Sequence, residues 1–283
     1  APPPELTALA LPAVEAAARR RKDWRTHWRT HWRTHWRTHW RTWRGVLRSL
    51  RIYYGNRSQR PAMDRLYGQF VRAGDLVLDV GAHVGDRVGS FRRLGARVVA
   101  VEPQPPFVTT LKLLYGRDRN VTVEPAAIGR ERGSVTLQIN IDNPTVSTAS
   151  DAFVRAADGS PGWENQAWTK AIEVPLITLD ALIERHGRPA FIKIDVEGFE
   201  AEALAGLSHP VKALSFEFTT IQRDVALDCL TRCTALGFRR YKAALGESQA
   251  FVEERWQTAD EIAAWLKKLP LEANSGDIYA ALD

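Results

Sequence analysis

From residue 75 onward, short apolar β-rich runs alternate with helical patterns, and that alternation restricts the chain to a narrow set of architectures. Leu76–Val80 reads as a strand covered on both faces. Val84, Val88, Phe91 and Leu94 then mark one helical face, which Gly95 stops. Arg97–Val101 makes a second strand. Pro105 and Pro106 open a second helix along Phe107, Leu111 and Leu114, closed by Gly116. Val121–Ile128 is a third strand and Phe191–Ile194 a fourth. A helix over Ala201–Leu207, a strand over Ala213–Phe218 and a helix over Asp224–Leu236 follow. Thr258–Glu261 forms a capping box ahead of Ile262, Trp265 and Leu266, and Asp277–Leu282 supplies a last strand. Strands and helices alternating in this way give an α/β fold, a parallel sheet with right-handed crossovers.

One interruption stands out. Ser134–Ile141 and Ile172–Leu179 read as extended segments flanking residues 142–170, which are rich in Gly, Ser, Asn and Pro. A span that long between ordered elements is expected to act as a lid or substrate loop. Its Trp163 and Trp168 are expected to anchor it to the core rather than to stack on a sugar ring.

Charge divides the chain at a different place. Residues 1–60 hold 13 Arg and 1 Lys against 3 acids, an excess of eleven positive charges. The remaining residues carry 25 bases against 30 acids, so the net +6 says nothing about the pocket of the main domain. Residues 24–39 read WRTH four times, too short a period for a solenoid. A helical Trp stripe would drift about 40° per copy, while an extended chain would put Trp and Thr on one face; neither periodicity wins. Single-stranded nucleic acid, an anionic membrane surface and a transition metal are the functional readings. A recent in-frame expansion or a translated upstream region without a selected role is the favoured one. The expected organisation is a basic low-complexity extension over 1–62 and a domain over 63–283, with Met63 an internal start as a hypothesis. The amino end lacks the order of a secretory signal, and no run approaches the ~18 apolar residues of a membrane span. With two cysteines and no disulfide framework, the expected setting is the cytoplasm.

The chemistry begins where the first strand runs into VLDVGAHVGD, residues 77–86. Asp79 sits near the strand's carboxyl end, and Gly81 and Gly85 bracket the turn into the helix. Glycines there permit a sharp bend and close approach of a ligand to the main chain. The spacing differs from the G-x-G-x-x-G that cradles a diphosphate, and an adjacent acid repels one. Glu102 ends the second strand, where a carboxylate can accept the hydroxyl protons of a ribose. A nucleoside without a diphosphate, bearing an amino acid and a sulfonium, is S-adenosylmethionine.

The series VLDVGAHVGD, VVAVEPQP, AAIG (126–129) and FIKIDVEGFE (191–200) resembles the FkbM-type S-adenosylmethionine-dependent methyltransferases, over roughly residues 63–283. The resemblance implies a class I methyltransferase-like, Rossmann-like doubly wound sheet of seven strands with the last antiparallel. It also implies O-methylation of a hydroxyl on a sugar, glycan or natural product. By position, Asp79, Gly81 and Gly85 match the cofactor turn, Glu102 the ribose acid, and Ala127 the segment near the adenine. His83 stands where the family commonly has Asn, which leaves open whether it touches the methionine end of the cofactor.

At the fourth strand, Asp195 and Glu197 are expected beside the transferable methyl group, as proton acceptors for a hydroxyl nucleophile. Glu200 and Glu217 are further candidates, and Lys193 is placed to tune their charge. Glu200 also fits a helix's first turn, and Lys193 an ordinary strand residue whose ammonium reaches solvent. A carboxylate pair suits Mg²⁺, but without a dedicated ligand cluster no metal is assigned. The competing readings are an RNA or protein methyltransferase recruiting through the basic arm, and a non-catalytic binder of the same cofactor. Nucleic acid is not expected as a partner of the main domain. The sequence leaves the acceptor and the oligomeric state undetermined.

Overall fold

The computed structural model describes residues 43–55 and 57–282. The WRTH repeats, and every reading attached to them, lie outside the described residues. Helix α1 (residues 43–55) and α2 (Arg60–Tyr67) precede strand β1 (Leu76–Val80). Then come α3 (Asp86–Arg93), β2 (Arg97–Val101), α4 (Pro105–Tyr115) and β3 (Val121–Glu124). An insertion carries β4 (Ala127–Ile128), β5 (Gly133–Ile139), α5 (Asp151–Ala157) and β6 (Lys170–Ile177). The second half runs through α6 (Leu179–His186), β7 (Phe191–Ile194), α7 (Glu200–Ala205), β8 (Ala213–Thr219) and α8 (Arg223–Ala235). It ends with β9 (Arg240–Leu245), α9 (Ala259–Lys268) and β10 (Ser275–Ala281).

The central sheet has seven strands in the order β3-β2-β1-β7-β8-β10-β9. β10 runs antiparallel to both its neighbours, and the pairs among β3, β2, β1, β7 and β8 are parallel. This is the mostly parallel, class I methyltransferase sheet expected. Strand order reverses between β1 and β7, so the ligand crevice opens beyond their carboxyl ends.

Period-two alternation sorts the side chains of the sheet into two cores. Leu78, Val80, Ile192, Ile194, Leu214 and Phe216 pack on one face. Val77, Val98, Phe191, Ala213 and Tyr279 pack on the other. The second face carries the polar set further along each strand: Asp79 follows Val77, Lys193 and Asp195 follow Phe191, and Glu217 follows Ala213. Register places Asp79 opposite Lys193 and Glu217 opposite Asp277. A core residue and a site residue two positions apart therefore share one wall.

Three elements differ from the sequence expectation. The strand expected over Val121–Ile128 breaks at Pro125, which has no N–H for the ladder; β4 leaves to form a separate sheet, β4-β6-β5. Strand β9 has no counterpart in the sequence expectation, its apolar run being broken by Arg240 and Lys242. In the structure aromatic rings cover them: Lys242 Nζ lies 4.6 Å from the Phe251 ring centre, and Arg240 5.0 Å from that of Trp256. Residues 45–62 belong to the compact unit Gly45–Asp283, ahead of the boundary drawn at Met63. Val46 packs with Val84 and Phe107, and Tyr54 hydrogen-bonds the Val84 carbonyl at 3.1 Å. The apolar spacing of Val46, Leu50, Tyr53 and Tyr54 makes that helix face, inside a stretch whose arginines dominate the composition.

Residues 142–170 are ordered rather than a bare loop. Val146, Phe153, Ala157 and Trp163 form a small core of their own, with Trp168 against it. Trp163 meets Phe153 edge-on at 5.1 Å, and the Trp168 indole N–H donates to the Val146 carbonyl at 2.8 Å. Both tryptophans thus pack within the insertion itself rather than onto the main core, with Ile221 the residue from outside it that joins the cluster.

Candidate active site

The turn after β1 is shaped by main-chain geometry. Gly81 has φ +83°, and its N–H and that of Ala82 both donate to the Val101 carbonyl, at 2.9 and 3.0 Å. A Cβ on Gly81 would lie 1.7 Å from the Asp195 carbonyl oxygen, so the β1 and β7 turns touch backbone to backbone. Gly85, also at φ +83°, caps α3; a Cβ there would press on Leu111 and Tyr115. Its missing side chain lets α4 approach α3.

Asp79, Gly81, His83, Glu102, Ala127, Asp195 and Glu197 all line one cavity; Gly85 does not. Asp79 is 2% exposed, and its Oδ2 has no hydrogen-bond partner among the described residues. Burial, with the nearby Asp86 charge, pushes its carboxyl up to about 7. Glu102, equally buried, accepts the His83 N–H at 2.9 Å on Oε2 and the Gln104 N–H at 2.8 Å on Oε1. Burial raises it to about 7 against the pull of those two bonds. Each oxygen keeps a further lone pair for a ligand hydroxyl.

His83 carries φ +48°, unusual without glycine. Its ring packs against Phe107 at 4.2 Å and Tyr53 at 5.4 Å, and burial lowers its pKa to about 4. The imidazole is thus neutral near pH 7, and its Nε2 lacks a partner among the described residues.

The turn after β7 brings the acids together. Lys193, 1% exposed, bridges Asp195 Oδ2 at 3.1 Å and Asp277 Oδ1 at 2.8 Å. Its ammonium is buried in the sheet wall, not in solvent. Burial works against charge on Asp195, but Lys193 and Arg87 outweigh it and hold that carboxyl below its ordinary range. Glu197, at φ +55°, is 9% exposed and its carboxyl is raised by burial and by Asp195. Glu217 is raised for the same two reasons. Glu200 does something else: its Oε1 accepts the N–H groups of Val196 and Gly198 at 3.0 and 3.2 Å, tying the turn at the start of α7.

Several lining residues escaped the sequence reading. Tyr53 comes from α1. Arg87, from α3, pairs with Asp86 at 2.5 Å and with Glu247 at 2.8 Å. Asp277 does not line the cavity but pairs with Lys193 behind its wall, and in the sequence it reads only as part of a strand. An i, i+1 pair such as Asp86–Arg87 is an ordinary surface pattern in sequence, so only the packing of Tyr53 and Glu247 around it marks the site.

A buried acid with a free oxygen, a carboxylate held by two main-chain N–H groups and a turn without a Cβ fit an adenosyl ligand bearing an amino-acid end. Among the described residues no helix is long and apolar enough to cross a membrane. No curated protein matches the chain. Among solved structures it is similar to precorrin-6y C5,15-methyltransferase from Geobacter metallireducens, at 12% identity over 79% of this chain and 87% of that one, TM-score 0.38. It is also similar to magnesium protoporphyrin IX methyltransferase from Synechocystis, at 10% identity over 84% of each chain, TM-score 0.40. A third likeness is fibrillarin from Aeropyrum pernix with natively bound S-adenosyl-L-methionine, at 9% identity over 75% and 68%, TM-score 0.37. Residues 79–270 match the family described as the methyltransferase FkbM domain, a stretch that runs from the β1 acid to two residues past α9. The chain belongs to that family and is a methyltransferase whose cofactor is S-adenosylmethionine.

Proposed function

We propose that the enzyme methylates a hydroxyl oxygen on a sugar, glycan or natural product. The reading is carried by the position of Asp195 and Glu197, which line the same cavity as Asp79 and Glu102. When bound, S-adenosylmethionine supplies a methyl group already activated by the positive charge on sulfur. In this reading Glu102 takes the ribose hydroxyls and Asp79 the methionine ammonium, with Ala127 beside the adenine. Gly81 lets the main chain close on the ligand, and His83 acts as a neutral wall. Asp195, kept ionised by Lys193, accepts the hydroxyl proton as the oxygen attacks, and Glu197 orients the acceptor. An alcohol needs such a partner far more than it needs further activation of the methyl group.

Incubation with isotopically labelled S-adenosylmethionine and pooled glycan or metabolite extracts, followed by mass spectrometry, tests this. Label on an oxygen of a neutral hydroxylated product is expected, falling about 10²–10⁴-fold in Asp195→Asn while S-adenosylhomocysteine still binds. Label on nitrogen, protein or RNA would replace the reading. The two cysteines, Cys229 and Cys233, are free and buried, which suits a reducing compartment such as the cytoplasm.

A further inference from the structure

We propose that Asp195, Glu197 and Glu217 together bind one divalent cation of the hard, oxygen-seeking kind, Mg²⁺ or Mn²⁺. One carboxylate oxygen from each lies within 4.8 Å of the other two. The three come from separate stretches: the end of β7, the strained turn behind it, and the last third of β8. Period-two alternation along the two strands, with Glu217 opposite Asp277, puts these groups at one corner of the cavity.

Charge compensation there is incomplete. Lys193 is shared between Asp195 and Asp277, while neither Glu197 nor Glu217 forms an ion pair among the described residues. Ionising the buried Glu197 beside the partly buried Asp195 and Glu217 is costly unless a proton or something positive joins them. Asp195 and Glu217 share a side-chain hydrogen bond that a cation would have to replace, and two further observations point to a ligand. Glu217 Oε2 is fully shielded from solvent and has no hydrogen-bond partner among the described residues. Glu197 is more than nine-tenths buried, and its carboxylate accepts no hydrogen bond among the described residues, although it lines the cavity. Its backbone is already engaged, since the Glu197 carbonyl accepts the Thr148 hydroxyl at 2.6 Å. The turn that carries the side chain is thus held in place.

Mg²⁺ binds through a few carboxylates and keeps several coordination positions for water or substrate oxygens. A cation there would adjoin the part of the cavity assigned above to the acceptor, and that assignment alone rests on the proposed reaction. A cation there would hold an acceptor oxygen and lower its proton affinity.

The test needs no acceptor and no turnover, so it fails separately from the O-methylation reading. Free Mn²⁺ is followed by electron paramagnetic resonance as the full chain is titrated, with Mg²⁺ as competitor. The expected result is one Mn²⁺ taken up per chain, released by Mg²⁺, with affinity at least about tenfold weaker in Glu217→Gln. S-Adenosylhomocysteine binding reports that the variant's pocket is intact; if it is lost, Glu197→Gln decides instead. No uptake by the wild type up to about 1 mM Mn²⁺, or uptake unchanged in a folded variant, overturns the proposal. A proton shared between Asp195 and Glu217 gives that negative result.

Discussion

Lys193 holds its ammonium 3.1 Å from Asp195 Oδ2, two residues farther along the same line of the chain. Both side chains emerge on one face of the sheet, and Asp277 meets the same ammonium from β10. Removing a buried cation from between two acids leaves both uncompensated. Lys193→Met is expected to destabilise the fold by about 3–5 kcal/mol, measured by urea unfolding. Adding Asp277→Asn should recover part of that loss; strictly additive losses in the double variant would show that the ion pair is not the source.

Asp79 sets a stability trend with pH. Its folded pKa of about 7 lies above the ordinary value of 3.8, so the native state prefers the protonated form. The associated stability is complete below pH ~4 and is lost as pH rises through about 7. Asp79→Asn cannot ionise. It should match the wild type near pH 4 and exceed it by roughly 2–4 kcal/mol at pH 8, while binding cofactor more weakly. A constant difference in melting temperature between pH 4 and 8 would contradict this.

Cofactor affinity should follow the same ionisations. Asp79 and Glu102 both stand at about 7, and a cationic ligand requires their charged forms. Calorimetry is expected to show S-adenosylmethionine binding weaken as pH falls from 8 to 6, with protons released on binding near pH 6.5. A flat profile would mean that neither acid contacts the ligand.

Glu102→Gln replaces one acceptor oxygen by a donor that must face a main-chain N–H. Loss of a charge-assisted contact amounts to roughly 1.5–3 kcal/mol, or about 10- to 150-fold in the dissociation constant of S-adenosylhomocysteine. An unchanged constant would remove the ribose role.

Gly81→Ala introduces a Cβ into a position already occupied by the Asp195 carbonyl oxygen. The two turns must part, so cofactor binding should fall at least tenfold, about 1.4 kcal/mol, with the far-ultraviolet circular dichroism preserved. Wild-type affinity in this variant would show that the turns can separate without consequence.

The strands that carry the site were legible because they are buried on both faces. Leu76–Val80 and Phe191–Ile194 are each enclosed throughout, and uninterrupted burial writes an uninterrupted apolar run. The acids at their ends stood out as charge following hydrophobic sequence. What stayed hidden depends on contacts between distant segments. Glu200 looks like Asp195 and Glu197 in a row of letters, yet its oxygen is committed to the N–H groups of Val196 and Gly198. Lys193 reads as a strand residue with a solvent-seeking head until Asp277 arrives from the far end of the chain. Tyr53 lies in a helix at the end of a stretch whose composition is dominated by arginine.

The hydroxyl of Thr148 bonds the carbonyl of Glu197, and its neighbours Thr145, Ser147 and Ala149 form part of the cavity wall. A guest molecule too bulky for that wall must displace the insertion, and displacing the insertion twists the very peptide that aims Glu197. In the proposed reaction, misfit at the entrance would thereby become misalignment of Glu197, and selectivity is expected to show in turnover more than in how tightly the wrong guest sticks.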